Sequence, residues 1–271
     1  MSKVPLKTSG EKIYDISIYD NAKLTAALIG CNYYSFIENN QSDKNYILLS
    51  ADVSGIQSFI YTRSSKGALK SLRARSFYLE LMLEHLVDEI LSELNMYRCN
   101  LLYTGGGHFY MLLPNTTKTK EILSKAQKVV NDWFINEFGN DLYIAIAYTE
   151  ASSNDLLKTK ELFKKVSNIL SQKKQSRYDK EQLKKLLLPQ ENKSERECAI
   201  CNTSTKEIKP QDFIDSKIEV CDTCYKLFKI GETIMKNDFR IYITDEKEDN
   251  SLNLPSISGE KRYLSISTKE K

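Results

Sequence analysis

Long apolar runs are missing from this sequence of 271 residues. No stretch approaches the roughly 18 to 20 consecutive apolar residues that a membrane-spanning helix needs. The opening Met-Ser-Lys-Val-Pro also lacks the apolar block of a secretion signal. We therefore expect a cytoplasmic protein with no membrane partner. The length exceeds that of a usual single domain, which predicts about two domains.

A surplus of charge of one sign is missing as well. The 39 basic residues are set against 36 acidic ones, which leaves a net charge of +3. So small an excess does not indicate nucleic-acid binding, and partners must be inferred from local features. The basic stretch Lys173–Tyr178 is suited to following a nucleic-acid backbone. A charge run is more often a solvated helix face or a linker, and we favour that interpretation.

Cysteine is sparse but patterned. Of six cysteines, four form Cys-x-x-Cys pairs, Cys198 with Cys201 and Cys221 with Cys224, and 19 residues separate the pairs. This spacing predicts one closed, structural zinc site of four thiolates in a reducing compartment. The alternatives are four unligated cysteines or a redox dithiol. Two matched pairs fit a metal better than a disulfide.

The segment Leu101–Leu113 consists of two apolar, β-forming runs joined by Gly105, Gly106 and Gly107. Because glycine accepts positive φ without steric cost, the segment predicts a tight β-hairpin. Three successive glycines also leave room for the close approach of a ligand. The alternative is a glycine-rich turn without a ligand.

The elements around this hairpin follow a defined order. They are a strand at Tyr46–Val53, a helix at Lys66–Met96, the two hairpin strands, a helix at Thr117–Phe138 and a strand at Leu142–Tyr148. This order predicts an α+β fold, a ferredoxin-like βαββαβ domain whose four-stranded antiparallel sheet is backed by two helices. Helices and a small zinc-binding module follow it.

Other segments are less informative. Residues 1–40 have a mostly helical composition, with Asp15 or Ser17 as the cap. Residues 155–188 also predict helix. Two short strand candidates near the end, at 239–244 and 263–266, have no evident partner.

The predicted layout is that of polymerase palms and nucleotide cyclases. In those enzymes, carboxylates on the first strand and on the hairpin hold two metal ions. Here the first strand supplies Asp52, and the hairpin supplies no carboxylate. The palm is therefore expected to be catalytically degenerate, although its backbone can still cradle a phosphate. The alternative role of Asp52 is to cap the turn at Ser54 and Gly55.

Three stretches in order, residues 52–61, 72–78 and 101–109, resemble the first palm of the large subunit of type III-A (Csm) CRISPR effector complexes. The cysteine pairs lie where that family has its zinc-bearing insertion. Residues 15–27 resemble the stretch that closes the family's N-terminal HD nuclease domain. The resemblance covers about residues 15–235.

The resemblance implies a function and also a departure from it. The family has an HD nuclease that cuts single-stranded DNA, and a second, GGDEF-like palm whose Gly-Gly-Asp-Asp hairpin makes cyclic oligoadenylates from ATP when target RNA is bound. This sequence has two histidines, His85 and His108, neither followed by Asp, and no Gly-Gly-Asp-Asp. We expect a non-catalytic first palm, from either a split large subunit or a truncated fragment.

The family's two palms face each other and bind two ATP molecules. By this resemblance, the residues implied in binding ATP with Mg or Mn are Asp52, Ser54, Gly55, Gln57, Gly105, Gly106 and Gly107. Arg73 and Arg75 are implied to reach phosphate or RNA, or else to form salt bridges on a helix. The implied partners are a second-palm chain or the remainder of the large subunit, other Csm subunits, guide RNA and target RNA.

The expected domains are a helical remnant resembling the end of an HD domain (1–45), the first palm (46–152), a helical connector (153–190), the four-cysteine zinc module (191–235) and the start of an incomplete region (236–271). The leading hypothesis is a first palm that binds ATP and supports a second palm. One alternative is a purely structural assembly subunit. Another, a stand-alone cyclase, is disfavoured by the missing hairpin carboxylates.

Overall fold

The computed structural model describes residues 5–8, 11–38, 42–61, 68–188, 196–203, 208–213, 216–236 and 238–268. The chain divides into two compact units. The first unit comprises Met1–Val53, Val87–Lys128 and Ile144–Arg177, and the second comprises Ser54–Leu86, Val129–Tyr143 and Tyr178–Lys271. None of the helices in the described part is both long and apolar enough to cross a membrane.

The described strands, in chain order, are β1 (Pro5–Thr8), β2 (Glu11–Ser17), β3 (Tyr46–Ser54), β4 (Leu101–Gly105), β5 (His108–Pro114), β6 (Tyr143–Ala151), β7 (Ile208–Phe213), β8 (Ser216–Cys221), β9 (Arg240–Thr244), β10 (Leu252–Leu254) and β11 (Arg262–Ser267). The described α-helices are α1 (Ile18–Ile37), α2 (Ile56–Ile60), α3 (Ala68–Glu93), α4 (Thr117–Phe138), α5 (Ser153–Leu156), α6 (Thr159–Gln175), α7 (Lys180–Leu187) and α8 (Asp222–Thr233).

A four-stranded sheet in the order β4-β5-β3-β6 carries the predicted ferredoxin-like arrangement. Strand β5 pairs antiparallel with β3 on one side and with β4 on the other. Successive residues of β3, including Ile47, Leu48 and Leu49, are almost fully buried. A strand buried at consecutive positions is covered on both faces. In the first unit, α1 packs against β5.

The N-terminal segment differs from the prediction. Ser17 caps α1, as expected, and its Oγ accepts a hydrogen bond of 3.0 Å from the backbone N–H of Asp20. The segment 1–45 was predicted as a helical remnant, whereas β1 and β2, before Ser17, pair antiparallel. Ile13, Tyr14 and Ile16 favour strand over helix. That local preference outweighs the polar composition of the segment.

Residues 155–188 are largely helical, as predicted, but the helical region is divided into α5, α6 and α7. A capping box begins α7, where the Asp179 carboxylate accepts from the backbone N–H of Gln182 at 2.8 Å. Such a cap satisfies N–H groups that a continuous helix would have bonded internally. The division therefore follows from local capping signals.

The C-terminal strand candidates do have partners. Strand β11 pairs antiparallel with both β9 and β10, in the order β10-β11-β9. The expectation of unpaired strands is wrong because the two candidates pair with each other and with β10, whose three residues show no period in the sequence. Two side chains of α3 hold this part of the second unit. The hydroxyl of Tyr78 donates to the Asn253 carbonyl at 2.5 Å, and His85 Nε2 lies 2.9 Å from the Pro255 carbonyl.

Helices α8 and α3 approach each other closely within the second unit. A Cβ built on Gly231 of α8 would lie 2.5 Å from the Lys70 carbonyl oxygen of α3. The Lys70 Nζ lies 3.2 Å from Glu232 Oε1 and 5.1 Å from the centre of the Phe228 ring. Only glycine at position 231 permits this approach without a shift of the backbone.

We expect Gly231→Ala to destabilise the second unit by roughly 1 to 3 kcal/mol, the usual cost of overpacking. Gly30→Ala is the matched control, since its Cβ would lie 3.3 Å from Cε at the end of the Met96 side chain, which can adjust more easily than a backbone carbonyl, and alanine gains up to about 1 kcal/mol of helix propensity. Thermal unfolding followed by circular dichroism should show a lower melting temperature for Gly231→Ala and a higher one for Gly30→Ala. Equal melting temperatures for both variants would contradict the close approach.

Candidate functional site

The glycine hairpin forms as predicted. Gly106 and Gly107 turn the chain between β4 and β5 with φ of 63° and 88°, as a two-residue turn of the primed type requires. The Gly107 carbonyl accepts a hydrogen bond of 2.9 Å from the backbone N–H of Val53. A Cβ built on Gly106 meets no atom of the described residues within 4 Å, apart from its neighbours in the chain. The turn is therefore fixed on the β3 side and open at its tip.

Asp52 lies opposite His108 in the register of β3 and β5. Its Oδ2 is 3.6 Å from His108 Nδ1, and His108 Nε2 is 3.1 Å from Ser50 Oγ. Lys174 of α6 forms an ion pair with the same Asp52 oxygen. The Asp52 side chain is 24% exposed, so it is reachable from solvent but already engaged by a protein cation.

The environment of Asp52 keeps its carboxylate ionised. Burial raises the pKa of this carboxyl, but the contacts with His108 and Lys174 outweigh burial and hold the pKa below its usual range. A single carboxylate neutralised by a lysine is a poor start for a two-metal site, which needs several anionic ligands.

Helix α6 brings Lys174 to Asp52. Phe163 of α6 packs on Tyr110 of β5 with ring centres 5.0 Å apart, and Tyr110 lies 4.6 Å from the His108 ring. The neighbouring Lys173 donates to the Ile146 carbonyl at 2.7 Å, and burial lowers the pKa of its ammonium. The interpretation of these two lysines as a solvated face or linker is therefore wrong. Phe163 and Leu170 lie at helical spacing, and this spacing was the signal in the sequence that one face of the helix is packed.

Ser54 is the last residue of β3, and Gly55 is the N-cap residue of α2 with φ of 90°. A Cβ on Gly55 would lie 1.8 Å from the Asp141 carbonyl oxygen, so this glycine is required by backbone approach whether or not a ligand binds. Gln57 is exposed in the first turn of α2. Their contact with a nucleotide stays a prediction.

The two arginines have different surroundings. Arg73 is exposed, with Nη1 2.6 Å from Met235 Sδ, and its contact with phosphate or RNA stays a prediction. Arg75 is 3% exposed. Its guanidinium donates to the Phe59 carbonyl and to Cys224 Sγ, each at 3.1 Å. Both interpretations of Arg75, a phosphate contact or a surface salt bridge, conflict with this burial.

The four paired cysteines converge on one point. Their Sγ atoms all lie within 4.8 Å of one another, and no other group of three or more potential metal ligands occurs in the described ranges. The sulfurs of Cys201 and Cys221 are 3.7 Å apart, close to the ~3.8 Å edge of a tetrahedron with Zn–S bonds of about 2.3 Å. Backbone N–H groups lie 3.5 Å from the sulfurs of Cys198 and Cys221. The donor set fits a metal with no open position.

The proximity of the four thiols also shifts their pKa values. The pKa of Cys198 lies far below that of a free thiol because the three neighbouring thiols donate to its sulfur. The pKa of Cys224 is strongly raised, because its thiolate would form beside the other sulfurs and because it is buried. A cation among the sulfurs is what allows all four to be thiolates at once.

Comparison with known proteins gives one family. A sequence model described as Csm1 subunit domain B matches residues 45–192. The relative from Mycobacterium tuberculosis is 34% identical over 94% of this chain and 35% of its own length, and that from Enterococcus italicus is 35% identical over 99% and 36%. Both are described as the CRISPR system single-strand-specific deoxyribonuclease Cas10/Csm1 of subtype III-A. The chain thus spans about a third of the length of these relatives.

Solved structures give the same family. A Csm1–Csm4 subcomplex of the type III-A interference complex aligns with a TM-score of 0.67 at 25% identity, covering 94% of this chain and 31% of that one. The Csm1–Csm4 cassette in complex with one ATP aligns with a TM-score of 0.55 at 34% identity, covering 64% and 25%. The cassette in complex with cA3 aligns with a TM-score of 0.55 at 34% identity, covering 60% and 24%.

We expect Lys174→Met to raise the pKa of Asp52. Because the folded pKa is below the unfolded value of about 3.9, the ion pair stabilises the fold above that pH, and the gain is lost as the pH falls through the folded pKa. For a partly exposed pair the gain is at most about 1 kcal/mol. Carboxyl NMR titration of Asp52 measures the shift. Lys164→Met, on an exposed position of α6, is the control, and identical Asp52 titrations in both variants would contradict the pairing.

Proposed function

The chain belongs to the Csm1 family of type III-A CRISPR systems, and we propose that it supplies the first palm of a large effector subunit. In this proposal the first palm binds ATP and supports the synthesis of cyclic oligoadenylate by a second palm that carries Gly-Gly-Asp-Asp. Two solved structures support the proposal, because the related Csm1–Csm4 cassettes were solved in complex with one ATP and with cA3.

One observation carries the nucleotide proposal: the glycine turn has an open tip. Backbone N–H groups in successive turn conformations form concave anion sites, and the space beyond Gly106 is free of described atoms within 4 Å of a built Cβ. Because Lys174 and His108 engage Asp52, we assign the Mg or Mn to the nucleotide and the second palm. The proposed ATP contacts are Asp52, Ser54, Gly55, Gln57, Gly105, Gly106 and Gly107.

The four-cysteine cluster can hold a metal, and we propose that the metal is structural zinc. Four thiolates are the ligand set of closed zinc sites, and the 3.7 Å separation of two sulfurs suits that ion. Buried Cys198, Ile200, Val220 and Phe228 form a small apolar cluster around it. Binding zinc would supply much of the stability that so small a core lacks.

We also propose the partners and the domain arrangement. Csm1 is solved together with Csm4, and a Csm4-type subunit, a second palm, guide RNA and target RNA are proposed partners here, with Arg73 as a phosphate or RNA contact. The proposed domains are 1–45, the palm at 46–152, the connector at 153–190, the zinc module at 191–235 and the region 236–271.

A second candidate function is a structural subunit whose palm no longer binds nucleotide. The ion pair between Asp52 and Lys174 favours it, since Asp52 is occupied without a ligand. The two functions differ in one measurable property, which is the affinity of the assembled complex for ATP.

We expect Gly106→Asn and Gly106→Val to weaken ATP binding and to lower oligoadenylate output in the complex assembled with a second palm, with guide-RNA loading unchanged. Both side chains enter the space proposed for phosphate. Asparagine tolerates positive φ, whereas valine adds strain beyond the roughly 1 to 2 kcal/mol usual for a left-handed residue. Labelled-ATP titration measures the affinity.

Gly139→Val is the matched control, because Gly139 has a φ of 64° and its built Cβ also meets nothing within 4 Å. This variant carries the same strain outside the hairpin and should bind ATP normally. Normal ATP binding and synthesis by a folded, assembled Gly106→Asn complex would reject the nucleotide proposal in favour of the structural subunit.

We expect the chain to retain one zinc ion, and Cys221→Ser to lose it, since three thiolates leave the tetrahedron open. Elemental analysis of undenatured protein measures the number of zinc ions per chain. Cys99→Ser, outside the cluster, should leave this number unchanged. Protein without zinc, or full zinc retention by Cys221→Ser, would contradict the proposal.

A further inference from the structure

Arg75 is a buried cation whose place in the fold the proposed function does not use. It lies on α3 with 3% exposure. Its described hydrogen-bond acceptors are the Phe59 carbonyl at 3.1 Å, Ser71 Oγ at 3.4 Å and Cys224 Sγ at 3.1 Å. A buried guanidinium is costly unless it is paired with negative charge.

The charged groups around Arg75 point to Cys224. The Asp141 carboxyl interacts with Arg75 over a distance, but the described hydrogen bonds of Arg75 go to Phe59, Ser71 and Cys224 and not to this carboxyl. Ser71 and the Phe59 carbonyl are neutral. A metal-bound Cys224 is a thiolate, and four thiolates around a divalent cation leave a net negative charge that a guanidinium can offset.

Arg75 also contacts α2. Its guanidinium lies 4.8 Å over the Phe59 ring, in cation–π contact, while the carbonyl of the same residue accepts from Nη1. The planar fork of arginine serves the ring, the carbonyl and the sulfur together, which a lysine ammonium is not shaped to do. Helix α2 directly follows Ser54 and Gly55.

We propose that Arg75 is the positioning residue of the metal centre. It donates a hydrogen bond to the Cys224 thiolate, offsets the charge of the four-sulfur site, and couples metal occupancy to the placement of α2. The inference rests on the proposed metal site. Helices α2, α3 and α8 share these contacts within the second unit.

The experiment uses the 271-residue chain loaded with zinc or with cobalt(II). Arg75→Gln removes the charge, Arg75→Lys keeps the charge without the fork, and Arg73→Gln is the control on the exposed neighbour. We expect zinc affinity to fall roughly ten- to hundredfold in Arg75→Gln, the usual effect of losing a hydrogen bond to a metal ligand, and zinc release to a chelator to be correspondingly faster. Arg75→Lys should be intermediate and Arg73→Gln unchanged.

Cobalt spectra separate this role from general destabilisation. Loss of a hydrogen bond makes a thiolate a stronger electron donor, so the sulfur-to-cobalt charge-transfer band should move to lower energy in Arg75→Gln but not in Arg73→Gln. Wild-type release rates and spectra in a folded Arg75→Gln would overturn the inference. A wild-type chain that binds no metal would instead refute the metal site itself.

A wild-type measurement covers the case in which Arg75→Gln does not fold. Hydrogen exchange should quicken at residues 56–61 and 71–79 when zinc is removed, and α1 should be unaffected. Unchanged exchange at 56–61 in zinc-free protein would overturn the coupling to α2.

Discussion

The register between β3 and β5 determines where each candidate residue of the first unit lies. It places Asp52 opposite His108 and brings the glycine turn against the end of β3. A slip of one residue would move every β3 side chain to the opposite face of the sheet, so that Ile47, Leu48 and Leu49 would each meet packing that fits a neighbouring residue. The apolar content that makes β3 a central strand therefore also fixes the one carboxylate at the turn.

The ion pair between Lys174 and Asp52 is a physical alternative to a metal ion at the same place. A lysine ammonium neutralises one carboxylate and brings no open coordination position, whereas a divalent metal needs further anionic ligands. Because the hairpin ends in glycine and His108, those ligands are not available there. The asymmetry proposed between this palm and its partner thus follows from one lysine and a missing acid.

Local signals made much of the fold predictable. The bounds of α4, Thr117–Phe138, match the periodic segment, and the hairpin follows from its glycines. The pairing of Lys174 with Asp52 and of Arg75 with Cys224 joins residues 122 and 149 positions apart. Composition identifies such residues as charged, but only helix phase and packing decide which cation meets which anion. Strand β10 was missed because three residues show no period.

The long separation between α3 and its partners sets an order of events during synthesis. The hydrogen bond of Arg75 cannot form until Cys224 has been made, and that of Tyr78 cannot form until Asn253, 175 residues later, has been made. At about 5 to 20 residues per second, α3 leaves the ribosome on the order of ten seconds before either partner exists. Its charged and hydroxyl groups stay hydrated during that time. The cysteine cluster can close only after Cys224 has been made, and its closing is what dehydrates the guanidinium.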